Sequence, residues 1–107
     1  MVIHIEAPDE AAHDGSIDDK VQAIQMIDKE IVSRLRSWRR GGLRMLIMPD
    51  HPTPIETQTH SPDPVPFMLW GPGVTANGAE RLTEAEAAST GFFIDPGYNI
   101  MRKLVED

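Results

Sequence analysis

Residues 2–5 read VIHI, residues 17–35 place Ile17, Val21, Ile24, Ile27, Ile31 and Leu35 at three- and four-residue steps, and residues 43–48 read LRMLIM. The first run is short, mostly β-branched and closed by Ala7-Pro8, the pattern of a buried strand. The second is one apolar stripe along a helix of about five or six turns. Ser16 suits its N-cap, Asp18 and Asp19 its first turn, and Gly41-Gly42 its end. The third run reads as another buried strand, closed by Pro49. Strand, long helical crossover and strand form a βαβ unit, so the two strands are predicted to run parallel. The expected fold class is therefore α/β.

Outward from this unit the chain is less regular. Residues 9–15 read as a polar loop. Between Pro49 and Gly73 lie Pro49, Pro52, Pro54, Pro62, Pro64, Pro66 and Pro72 of the chain's 9 prolines, which excludes a helix there. Val65 to Trp70 is a further strand candidate whose start Pro66 confines to an edge or strand end. Gly71-Pro72-Gly73 is a turn. Thr83 with Glu86 three residues on forms a capping box for a short helix ending near Ser89, before Gly91. A last short helix is predicted from Tyr98 to Val105.

The chain has 107 residues, 10 Lys+Arg against 17 Asp+Glu, and no cysteine. That length fits one domain. Disulfides and thiolate metal sites are excluded, which suits a cytoplasmic protein. No apolar run approaches the roughly 20 residues of a membrane span. A net charge of −7 argues against nucleic acid as a partner. Glu6, Asp9, Glu10, Asp14, Asp18 and Asp19 all precede the first basic residue, Lys20, so nearly all the net charge lies in the first 19 residues. Arg34, Arg36, Arg39, Arg40 and Arg44 read as a basic helix C-terminus and its following loop, with an anion site as the alternative.

Three histidines sit beside carboxylates or in polar loops: Asp9 with His13, Asp50 with His51, and His60 between Thr59 and Ser61. In a parallel βαβ unit the C-terminal ends of both strands open on one sheet edge, where open α/β sheets place ligands. Asp9 and His13 follow the first strand, and Asp50 and His51 the second. The two groups should therefore converge, with His60 reaching the same edge. Neutral imidazole and carboxylate suit a divalent transition metal such as zinc or manganese. Two such ions about 4 Å apart could serve phosphoryl chemistry. Asp50 and His51 are sequence neighbours, so both reach one ion only from a loop, and Pro49 and Pro52 favour a fixed one. His4 is expected to pack inside its strand. Trp38, Phe67 and Trp70 read as core or interface residues, and the methionines as core fillers.

These stretches resemble a known family. HIEAPDEAAHDGSIDDKVQAIQMIDKEIV, LIMPDHPTP and THSPDPVPF are similar to the archaeal-type cofactor-independent (2,3-bisphosphoglycerate-independent) phosphoglycerate mutases of the alkaline phosphatase superfamily. The resemblance implies a parallel-sheet α/β/α sandwich of the alkaline-phosphatase-like metalloenzyme fold. It implies a two-metal site in which Asp9, His13 and His60 bind one ion and Asp50 and His51 the other, the metal being manganese, zinc, cobalt or magnesium. The activity implied is interconversion of 3-phosphoglycerate and 2-phosphoglycerate in glycolysis and gluconeogenesis. A homoserine-kinase-like phosphotransferase and a non-catalytic metal-binding or interaction module are the alternatives.

The resemblance further implies that residues 1–107 are the C-terminal portion of one metalloenzyme domain. The N-terminal half, its nucleophilic serine and the inserted substrate domain would then lie outside the chain. Ser16, Ser33, Ser37, Ser61 and Ser89 do not match the family's nucleophile motif. The chain alone is expected to be inactive, to bind about one ion loosely or none, and to form a homo-oligomer through exposed sheet surface.

Overall fold

The segment after Glu6 is a helix, not the loop expected there: α1 spans Ala7–His13. The local chemistry accounts for this. Pro8 sits in the first turn, where its missing N–H costs nothing. Asp9 and Glu10 face the positive end of the helix dipole. Ala11 and Ala12 are good helix formers, and both are buried. Past Asp14, the Gly15 N–H donates to the Ala12 carbonyl and the Ser16 N–H to that of Ala11, at 3.0 and 2.9 Å. This is the Schellman arrangement, and it requires the left-handed φ of +71° at Gly15.

The computed structural model describes residues 1–106, which fall into two units. The first holds Met1–Arg39 and His51–Asp63. In it α1 packs on α2, Ile17–Ile27. Ser16 caps α2 as predicted, accepting from the Asp19 N–H at 3.3 Å. A π-helical turn, Asp28–Val32, and α3, Ser33–Arg36, continue the same helical run. Arg34 and Arg36 occupy its last turn, and Arg34 pairs with Glu30 at 3.0 Å. The predicted stripe divides in two. Ile27, Ile31 and Leu35 are half-buried, whereas Ile17, Val21 and Ile24 are exposed.

The second unit holds Arg40–Asp50 and the residues from Pro64 onward. Its sheet has two strands, β1 (Met45–Ile47) and β2 (Met68–Trp70). They pair antiparallel, with Met45 opposite Trp70 and Ile47 opposite Met68. Pro66 lies just before β2, outside the ladder it could not serve. α4 (Glu84–Ser89) starts at Thr83, whose hydroxyl accepts from the Glu86 N–H at 3.1 Å. The Glu86 carboxylate binds the N–H groups of Glu80 and Arg81 rather than closing the expected box. A 3₁₀ turn, Gly97–Asn99, leads into α5, Ile100–Val105. Met45 and Ile100 are buried, and Phe67 meets Phe92 edge-on with ring centroids 6.1 Å apart.

Two expectations are corrected. Residues 2–5 form no strand, and the parallel βαβ unit is not formed among the described residues. A strand is stable only where its N–H and C=O groups meet a neighbour's, and among the described residues no strand pairs with residues 2–5. His4 accordingly does not pack inside a strand: it is exposed, with Glu6 3.8 Å away. Trp38 is likewise exposed.

Candidate metal centre

One turn of α1 separates Asp9 from His13, so both side chains leave the same face of the helix. The segment His51–Asp63 of the same unit brings His60 against them. Asp9, His13 and His60 each offer one donor atom to a common point, all within 4.8 Å of one another. His13 Nε2 is 3.3 Å from Asp9 Oδ2, His60 Nε2 is 3.4 Å from Asp9 Oδ1, and the two Nε2 atoms are 3.2 Å apart.

The protons show what such a triangle can hold. His13 Nδ1 lies 2.7 Å from the Gln58 carbonyl, which can only accept. Nδ1 therefore carries the proton, and in the neutral ring Nε2 presents its lone pair to the centre. Asp9 can only accept. Three edges thus meet with at most one proton, on His60 Nε2, to serve them. A cation satisfies all three. Around a tetrahedral ion with bonds of 2.0–2.1 Å, donor atoms stand about 3.3 Å apart. The donor set and its spacing fit a transition-metal ion.

His51 stacks on His60 with ring centroids 3.6 Å apart. Its Nδ1 is 3.2 Å from the Thr53 hydroxyl. Thr53 is buried and ties the site together: its hydroxyl donates to Asp9 Oδ1 at 2.7 Å, and its carbonyl accepts from Lys20 Nζ at 2.8 Å. The Thr53 hydrogen bond, aided by the neighbouring histidines, outweighs desolvation and holds the Asp9 carboxyl below the usual carboxylate range. Asp50 is exposed and belongs to the second unit. Of the five expected ligands, the structure thus gathers Asp9, His13 and His60, with His51 beside them.

Thr53 and Gln58 were not anticipated. The Thr between Pro52 and Pro54 carried a signal only in hindsight, as a polar side chain fixed between two prolines. Gln58 carried none: its φ of +55° aims its carbonyl at His13, and that conformation is set by the loop.

Comparison with known proteins bears on this geometry. The sequence profile of the metalloenzyme superfamily matches residues 1–104. The chain belongs to that superfamily. It is 42% identical to a 2,3-bisphosphoglycerate-independent phosphoglycerate mutase of Methanothrix thermoacetophila, over 98% of this chain and 28% of the relative. It is 36% identical to a probable enzyme of the same name from Geobacter sulfurreducens, over 99% of the chain and 27% of the relative. A third relative so named, from Methanothermobacter thermautotrophicus, is 45% identical over 78% of the chain and 21% of its own length. The chain therefore spans about a quarter of the length of these relatives. The matches carry the superfamily and that share, not the C-terminal placement expected from the sequence. No solved structure matches. No helix among the described residues is long and apolar enough to cross a membrane.

Proposed function

We propose that Asp9, His13 and His60 bind one divalent transition-metal ion, and that the chain supplies these ligands to a phosphoglycerate mutase. Three donor atoms with edges of 3.2–3.4 Å and at most one proton among them carry the reading. His51 and Asp50 would be the ligands this chain contributes to a second ion. The parallel α/β/α sandwich of the alkaline-phosphatase-like fold would belong to the longer protein, whose substrate would be phosphoglycerate.

A bound ion would polarise a phosphoryl oxygen and stabilise the charge developing in transfer. The chain's residues do the positioning. The Gln58 carbonyl holds the His13 ring and its tautomer. The Thr53 hydroxyl fixes the Asp9 carboxylate. The serines are engaged elsewhere: Ser16 caps α2, the Ser33, Ser37 and Ser89 hydroxyls bond to helix carbonyls, and Ser61 bonds to Asp63. The serines do not match the family's nucleophile motif, so the nucleophile of a covalent phosphoserine would come from outside these residues.

Cobalt(II) absorption tests the metal reading: the visible bands of a nitrogen- and oxygen-ligated ion should appear with the wild-type chain and vanish with His60→Ala. Assaying the 107-residue chain for interconversion of 3- and 2-phosphoglycerate with manganese tests the division of labour. No enzyme-like turnover is expected, and turnover would place the nucleophile within these residues.

A further inference from the structure

Thr53 holds one hydroxyl proton between two groups that both contact it. Its Oγ1 is 2.7 Å from Asp9 Oδ1 and 3.2 Å from His51 Nδ1. Asp9 is an ionised carboxylate and can only accept, so the hydroxyl proton points to Asp9. The hydroxyl oxygen must then accept from His51, which places the His51 proton on Nδ1 and the lone pair on Nε2. The Thr53 main chain cannot swing away, because its carbonyl is held by Lys20 and the residue is only 5% exposed. Proline on either side narrows its backbone further.

We infer that Thr53 is a positioning residue that couples Asp9 to His51, orienting the first as a carboxylate ligand and selecting the Nε2-basic tautomer of the second. The inference rests on the proposed metal site for its purpose, but the tautomer is set in the metal-free chain. One side chain therefore prepares both the Asp9/His13/His60 group and the imidazole proposed for a second ion. Lys20, one helical turn into α2, anchors this coupler from outside the donor cluster.

The experiment compares Thr53→Ser and Thr53→Val in the 107-residue chain by two readouts. The first is the ¹⁵N chemical shifts of the His51 ring without metal, assigned against His51→Gln. The wild type and Thr53→Ser should show a protonated Nδ1 and a basic Nε2, and Thr53→Val should lose that preference. The second is zinc affinity. Thr53→Ser should stay within about threefold of the wild type, while Thr53→Val should fall by about 10–100-fold, as loss of an outer hydrogen-bond partner does. An Nε2-protonated His51 in the wild type, or an unchanged tautomer in Thr53→Val, overturns the inference. So does an equal zinc loss in both variants, which would point to packing. A wild-type chain that binds no zinc yet shows the tautomer switch would refute the metal reading while upholding the role of Thr53. A Thr53→Val chain that does not fold leaves the wild-type and Thr53→Ser tautomers to decide.

Discussion

His13 Nε2 stands 3.3 Å from Asp9 Oδ2, one turn further along α1. The helix puts both side chains on one face, and the Gln58 and Thr53 hydrogen bonds orient them toward each other. The third proposed ligand, His60, is brought in by the loop that carries Thr53 and Gln58. The rigidity of the pair depends on how α1 ends, and that end is the left-handed Gly15.

Gly15→Ala should destabilise the chain by about 1–2 kcal/mol, the cost of a Cβ in the left-handed region. The added Cβ would also stand 2.5 Å from the Gln58 side-chain nitrogen, a flexible group that can move aside. Urea denaturation of the two chains measures the difference. An unchanged midpoint would mean that the Schellman turn does not hold α1.

The lowered pKa of Asp9 has a definite sign. A group whose folded pKa is depressed stabilises the fold above its unfolded value and loses that contribution as pH falls through the folded value. Asp9→Asn should therefore be less stable than the wild type at pH 7 and still at pH 5. The gap should narrow below about pH 4, the ordinary aspartate range. Thermal melts across pH 3–7 without metal check this, and a gap that widened below pH 4 would contradict the assignment.

Gln58 occupies a backbone conformation that suits glycine better than any branched residue. Gln58→Gly should keep its carbonyl on His13 and bind zinc within about threefold of the wild type. Gln58→Val should weaken zinc binding by about tenfold or more, since the hydrogen bond that orients His13 is disturbed. Calorimetric titration of both variants decides it.

We propose that the chain self-associates through exposed apolar surface, to which the α2 stripe contributes beside the sheet surface expected from the sequence. Ile17, Val21 and Ile24 are 62%, 49% and 51% exposed and share one helix face. Covering apolar surface contributes about 25 cal/mol per Å². Light scattering should show a concentration-dependent rise in mass for the wild type and a monomer for Val21→Glu. A wild-type monomer at high micromolar concentration would contradict this.

Much of the local structure is legible in the sequence. The Ser16 cap, the helical stripe from Ile17, β1, β2 and the Thr83 cap follow from periodicity and capping chemistry. Helix α1 hides behind polar residues that resemble a loop, although Pro8 in the first turn, the acids after it and the paired alanines are helix-start signals. Convergence of Asp9, His13 and His60 was expected from a parallel sheet edge. It arises instead from a helix face meeting a proline-fixed loop. Thr53 and Gln58 could not be read from spacing, because their roles depend on where a tertiary loop puts one hydroxyl and one carbonyl.

The central claim is that Asp9, His13 and His60 form one metal site. Equilibrium dialysis against zinc, with the bound ion counted per chain by elemental analysis, tests it most directly. The wild type should hold about one ion, and His13→Ala should lose affinity by more than the roughly 10–100-fold expected for an outer partner alone. Binding unchanged by His13→Ala, or no bound ion in the wild type at millimolar zinc, would contradict the account.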